Sequence, residues 1–324
     1  MSEYMSFIKE ELTAFESYLV ATQRNNSTYI GTLRKFDKYL YTSYHGDYQL
    51  TKEMFDTWCR KHDNESNNTC RGRIQPILLF HRYLKERKLI DFEEPEKPKI
   101  SKQKSMPHPF TNKELASFFK TCDDFDPIIE DRKLHKVIKL ILSVIFRLLY
   151  STGLRPNEAR LLKRSNVDLN RCVISITETK GHNQRFVAIH DSLIDILIRY
   201  DEMMNDLIPD RVYFFPNGKN GYYCSRWLRG YFRQIWSLSN PDTNAVIYDF
   251  RHNYAIDNIN SWIKDGTDSI DKMYYLSKSM GHADINNTLY YYSVVPKFSK
   301  LQYELSNSSF EELIPEVMGN EGKQ

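Results

Sequence analysis

The strongest constraint on this chain is a change of character between Glu93 and Pro109. That stretch carries four prolines (Pro95, Pro98, Pro107, Pro109) and several lysines, with no apolar repeat. Proline fixes φ and has no backbone N–H to donate, so no helix interior passes easily through such a run. It reads as an extended linker. A chain of 324 residues divided there suits two domains of roughly 100–200 residues each. The expected organisation is a first domain over 1–92, a linker over 93–106 and a second domain over 107–324.

The first domain reads as helical throughout. Ile8, Leu12, Phe15 and Leu19 share one helical face, and Tyr29, Leu33, Phe36 and Leu40 form a second stripe after a polar break at Gln23–Ser27. Thr51 suits the cap of a third helix bearing Met54, Phe55 and Trp58. A fourth runs from about Asn68 to Arg87 with Ile74, Ile77, Leu78 and Leu84 inward. Pro76 inside it predicts a kink or a later start.

The second domain is mixed. Thr111 and Glu114 have capping-box spacing. Leu134, Ile138, Ile141, Ile145 and Leu148 form a helical stripe that Gly153 can terminate, and Pro156 suits the first turn of the next helix. Val173–Ile176 and Arg185–Ile189 are short β-type runs flanking the polar turn Thr179–Asn183, which predicts a hairpin. Helices resume from Asp191, and Phe310, Leu313, Ile314 and Val317 mark one more amphipathic segment in the tail from Pro296.

The net charge of +3 permits a nucleic-acid partner without demanding one. Five cysteines, with no CxxC pair, argue against a disulfide framework or zinc site and for a reducing compartment. With no apolar run long enough to span a bilayer and no signal-peptide pattern at the N-terminus, the expected location is the cytoplasm, in association with the nucleoid. No membrane partner is expected.

Four local signals in the second domain carry chemistry. They are Thr152-Gly153-Leu154-Arg155-Pro156-Asn157-Glu158, the hairpin turn with Lys180, Tyr248-Asp249-Phe250-Arg251-His252, and Gly281-His282 followed by Tyr290-Tyr291-Tyr292. Each alone has an ordinary reading: a solvated arginine at a helix end, or a surface lysine on a turn. In this order and spacing they resemble the tyrosine recombinase (phage-type integrase) family. Its pattern runs TGLRxxE, a hairpin lysine, HxLRH, then LGHxxxxTTxxY.

The resemblance covers almost the whole chain and implies a mainly helical fold with a small antiparallel sheet. It implies a helical, SAM-like core-site DNA-binding domain, then a mixed α+β catalytic domain, the two closing as a clamp around DNA. It implies site-specific recombination or integration through a 3′-phosphotyrosine intermediate, as in mobile elements and transposition, without metal, ATP or other cofactor. Duplex recombination sites are the implied partner, with a tetramer on paired sites, a monomer or dimer when free, and an accessory directionality factor as a possible helper. The segment 296–324 would pack on a neighbouring protomer, or else fold back on its own domain.

The residue types fit the chemistry. Cleaving a phosphodiester without metal needs fixed positive charge about the non-bridging oxygens, and the planar fork of arginine supplies it. Arg155 and Arg251 would clamp the phosphate and His282 would donate to it. Lys180 would protonate the leaving 5′ oxygen. The family places its nucleophile nine residues after the box histidine, which is Tyr291 here, with Tyr292 second.

One departure matters: Tyr248 stands where the family commonly has His or Lys, and a phenol donates a hydrogen bond but is a poor base. Glu158 reads either as an i, i+3 ion-pair partner or as a supporting carboxylate, and His252 as a structural, hydrogen-bonding histidine. Arg71 and Arg73 on the fourth helix read as a solvated face or as DNA contacts. Lys102 and Lys104 could meet phosphates, and His182 is either solvated or near DNA. The competing readings are a type IB topoisomerase and a catalytically inactive DNA-binding regulator.

Overall fold

The structure is a computed structural model that describes residues 4–24, 27–44, 46, 49–101, 106–177, 184–219, 221–264, 269–282 and 284–291. The chain divides into two compact units, Met1–Ser105 and Met106–Gln324.

The first unit is built from α1 (Lys9–Ala21), α2 (Ser27–Ser43), α3 (Lys52–Cys59) and α4 (Asn67–Glu86). Apolar residues at helical spacing drive it. Leu12, Phe15, Leu33, Phe36, Phe55, Ile74, Ile77 and Phe80 are all fully buried in one core. Asp37, also buried, accepts from the backbone N–H groups of Met5 and Ser6 and so pins the chain before α1 to α2. Ser66 caps α4 by accepting from Thr69 N. The helix then continues through Pro76 to Glu86, so this proline sits inside the helix rather than marking its start. Thr51 occupies the cap position of α3 without a side-chain bond.

The residues after α4 are strapped along it. Arg82 grips Glu94 with two nitrogens, Arg71 donates to Pro98 O, and Asn68 exchanges two hydrogen bonds with the backbone of Ser101. Arg73 is consumed within the unit: it donates to both oxygens of Glu65 and to the carbonyls of Trp58 and Arg60. A guanidinium fastened in this way ties α3 to α4. Arg71, bonded to the strap, has partners of the same structural kind. Lys102 and Lys104 lie outside the described residues.

The second unit is mainly helical. Its elements are α5 (Asn112–Asp124), α6 (Arg132–Thr152), α7 (Pro156–Arg160), three short strands, α8 (Asp191–Leu207), α9 (Ser225–Ser239), α10 (Asp249–Lys264) and α11 (Ser269–Met280). Residues 286–291 are helical again. The capping box at α5 is present in both directions between Thr111 and Glu114. The expected stripe of α6 is only part of its buried surface: Val137, Leu142, Val144, Phe146 and Leu149 are buried as well. A helix apolar on most sides belongs at the centre of a domain, and α6 fills that place.

Strands β1 (Val167–Asp168), β2 (Val173–Ile176) and β3 (Arg185–Ala188) form one antiparallel sheet in the order β1-β2-β3. The β2–β3 pair is the expected hairpin, with Ile176 opposite Arg185, while β1 adds a third strand that the sequence pattern did not announce. The hairpin turn with Lys180 and His182, and the tail with the segment 296–324, lie outside the described residues. No described helix is long and apolar enough to cross a membrane.

Candidate active site

The site begins where α6 stops. Gly153 adopts the left-handed conformation, φ 63°, and its N–H bonds Leu149 O, which closes the helix. A side chain there would be strained and blocked. A Cβ on Gly153 would lie 2.4 Å from Cδ1 of Tyr254. The chain therefore turns sharply and delivers Arg155 to the cap position of α7, with Pro156 at the first helical residue.

Glu158 organises this turn. One carboxylate oxygen accepts from the Arg155 backbone N–H (2.9 Å), the other from Arg155 Nη1 (2.8 Å). The i, i+3 ion pair is present, and the same carboxylate holds Arg155 by its backbone and its side chain. A third group joins from β3. Arg185 Nη1 and Nη2 donate to the two oxygens of Glu158 at 3.0 and 2.7 Å, and its Nε donates to Ser279 O at 2.6 Å. Burial alone would raise Glu158, but the two arginines and the Arg155 N–H outweigh it and hold the carboxyl below its ordinary range. Arg185 was missed in the sequence. Its one faint signal is a charge opening an otherwise apolar strand.

Arg251, on α10, is 1% exposed. Its Nη1 donates to Gly153 O at 2.7 Å and its Nη2 to Met280 O at 2.6 Å. Arg155 Nη2 donates to the next carbonyl, Gly281 O, at 2.8 Å. The two guanidiniums thus converge on consecutive peptide carbonyls at the end of α11. Gly281 is left-handed as well, φ 66°, and a Cβ there would lie 2.7 Å from Arg185 Nη1. Burial, then repulsion from Arg155, lowers Arg251 to about 10, so it keeps its proton at neutral pH. Among the described residues of this cluster, three guanidiniums stand against one carboxylate, Glu158, which bonds two of them, Arg155 and Arg185. Such a surplus of fixed positive charge favours an anion.

Around these arginines stand the ring groups. Tyr291 is buried, 4% exposed, while Tyr290 beside it on the same helix is only partly buried. Tyr291 is thus the inward-facing member of the described pair, and Tyr292 lies outside the described residues. His282 stacks on Tyr291 with ring centroids 6.2 Å apart and planes at 16°. Its Nδ1 is 2.7 Å from Thr288 Oγ1. With that hydroxyl donating to Nδ1, the imidazole proton sits on Nε2, free to be donated elsewhere.

His252 Nδ1 is 2.9 Å from Tyr291 Oη. Tyr248 packs beside His252, ring centroids 5.3 Å apart, and is 40% exposed at the rim. Burial pushes Tyr291 up to about 12, opposed by Arg251. Burial, aided by Arg251, brings His252 and His282 down to about 4, so both are neutral at pH 7.

The structure therefore gathers Arg155, Glu158, Arg251, His252, His282 and Tyr291, with Tyr248 at the edge. Among the described residues, no group of three His, Cys, Asp or Glu side chains is placed to hold a metal ion.

The chain is 22% identical to tyrosine recombinase XerC of Lacticaseibacillus casei over 307 residues, covering 90% of this chain and 96% of that one. Its fold is similar to that of XerH site-specific recombinase bound to difH substrate, with TM-score 0.56, 20% identity, and 82% and 74% of the two chains covered. It is also similar to that of the Tn1549 transposon integrase in complex with a circular intermediate DNA, with TM-score 0.58, 14% identity, and coverage of 87% and 94%. The model of the phage integrase family matches residues 109–297, more than half of the sequence. This chain belongs to the phage integrase family.

Proposed function

We propose that this recombinase cuts and rejoins duplex DNA at specific sites through a 3′-phosphotyrosine bond formed by Tyr291. The observation that carries the reading is the convergence of Arg155 and Arg251 on the Met280 and Gly281 carbonyls, beside the buried phenol of Tyr291. In this reading a phosphodiester competes with those carbonyls for the guanidinium protons. Two arginines and the Nε2–H of His282 then face the non-bridging oxygens as negative charge grows on them. Donors fixed in advance for such charge contribute roughly 3–4 kcal/mol each.

The Tyr291 oxygen attacks phosphorus, the P–O5′ bond breaks, and Lys180 supplies the proton that the departing 5′ oxygen needs. The phosphotyrosine stores the bond energy, and attack by a 5′ hydroxyl of another strand reverses the step. Tyr248 serves as a hydrogen-bond donor at the rim. No metal or nucleotide is needed in this scheme. In this reading four copies act on two paired sites.

The test begins with duplex DNA enriched from a random pool by binding to the protein. A nick is placed in the enriched site so that the released fragment diffuses away. A covalent adduct mapped by mass spectrometry to Tyr291, absent in Tyr291→Phe, supports the reading. An adduct on another residue would reassign the nucleophile. Tight binding without any adduct would favour the inactive regulator. Relaxation of supercoiled plasmid lacking the site would favour a topoisomerase.

A further inference from the structure

We infer that His252 is the proton acceptor for Tyr291, taking the phenolic proton through Nδ1 as the bond to phosphorus forms. The inference rests on the proposed phosphotyrosine reaction and adds a role which that scheme leaves open. A tyrosine nucleophile must lose its proton, and Tyr248, the side chain at the place where the sequence pattern led one to look for a base, is a phenol itself. A nitrogen within reach of the reacting oxygen belongs to the other histidine position of the motif. His252 Nδ1 stands 2.9 Å from Tyr291 Oη, within ordinary hydrogen-bond reach.

His282 is less suited to this duty. Its Nδ1 is engaged by Thr288 Oγ1, and its ring lies nearly parallel to that of Tyr291 rather than edge-on to the hydroxyl. His252 therefore works on the nucleophile, while His282 is free to work on the phosphate.

The groups acting on the pair are identifiable. Arg251 on α10 lies near both His252 and Tyr291. Tyr248, Tyr290 and Arg155 also act on Tyr291, and the imidazole of His282 is stacked on it. Burial depresses His252 and Arg251 depresses it further, so the imidazole is neutral at neutral pH; with the Tyr291 hydroxyl donating to Nδ1, the ring proton sits on Nε2. Transfer in the resting protein is uphill, because the phenol sits near 12 and the imidazole near 4. The resting site therefore stores a neutral phenol and a neutral imidazole.

A bound phosphodiester changes both sides of this balance. Its negative charge offsets Arg251 and lifts His252. Partial bonding of the phenol oxygen to phosphorus makes its proton far more acidic. One proton moves from Oη to Nδ1, the Oη–P bond forms and the P–O5′ bond breaks. The histidine returns the proton to Oη when the phosphotyrosine is resolved.

The test compares His252→Ala and His252→Asn with the unaltered protein on the nicked duplex described above. Asn offers an oxygen near the Nδ1 position, so it can keep the hydrogen bond but cannot take the proton. Both variants should form the covalent adduct about 100-fold more slowly or worse, within the range of general-base effects, while duplex affinity stays unchanged. A duplex with sulfur as the bridging 5′ atom, whose thiolate leaves without a proton, should restore Lys180→Ala and not His252→Asn. The unaltered protein should lose activity on acidification as a group of acidic pKa takes up a proton. His252→Asn should lack that limb and gain rate with hydroxide.

Full activity in His252→Asn, or its rescue by the sulfur substrate, overturns the inference. Absence of any adduct with the unaltered protein overturns instead the reading on which it rests, so the two failures are distinguishable.

Discussion

Arg185 and Glu158 meet through two parallel hydrogen bonds, 3.0 and 2.7 Å long, between side chains 6% and 5% exposed. Breaking a buried pair from one side costs roughly 3–5 kcal/mol when the other charge is left alone; Glu158 keeps Arg155 as a partner, so the loss falls at the lower end. Arg185→Ala should destabilise the protein by that order in urea titration. It should also slow covalent capture of DNA at least tenfold, because Glu158 then holds Arg155 less firmly. Arg185→Lys should recover little of either, since an ammonium cannot reproduce the fork.

Gly153 offers a second target. Gly153→Ala places a residue with a Cβ at φ 63° and 2.4 Å from the Tyr254 ring. The backbone strain alone is roughly 1–2 kcal/mol, and the clash adds to it. Trimming the ring with Tyr254→Ala in the same chain removes the clash and leaves the strain. Urea midpoints of the single and double variants should separate the two contributions. A Gly153→Ala protein as stable as the original would refute the tight approach.

Acid should weaken the fold in a defined window. His252 and His282 fall from 6.5 to about 4 on folding, so between those values the unfolded chain binds more protons than the folded one. Stability then rises with pH across this range and is lost as pH falls from 6.5 towards 4. Glu158 and Glu65 are held below their ordinary range and stay ionised through most of it. Urea midpoints between pH 7.5 and 4.5 should fall steadily, and His252→Asn should flatten the slope. An unchanged slope would assign the acid sensitivity to other groups.

In the first unit, Arg73→Ala removes bonds to Glu65 and to the Trp58 and Arg60 carbonyls. Its stability should drop by a few kcal/mol, on the scale of losing a partner from a hydrogen-bonded ion pair. By contrast, Lys52→Ala breaks only an exposed pair with Asp56, worth roughly 0–1 kcal/mol. Thermal unfolding of both variants decides this. A large loss of DNA affinity in Arg73→Ala at unchanged stability would restore a direct DNA contact.

Local rules made much of this legible. The capping box of Thr111 and Glu114, the left-handed stop at Gly153, Pro156 at the start of α7 and the β2–β3 hairpin are all short-range effects of residue type. Arg155, Arg251, His282 and Tyr291 were singled out through the resemblance to the family's motifs, and the structure gathers them. What stayed hidden depends on long-range closure. Arg185 meets Glu158 across 27 residues, and His252 meets Tyr291 across 39. No periodicity encodes such pairs. The partners of Arg73 were hidden in the same way, because an arginine on an exposed-looking face gives no sign that a carboxylate and two carbonyls wait for it.

The helix α7 is only five residues long, and the carboxylate that starts it also seats an arginine of the site. Fold and chemistry are therefore coupled at Glu158. Replacing that side chain cannot dull the reaction while sparing the turn, nor loosen the turn while sparing the reaction. Selection acting on either property at this position would necessarily act on both.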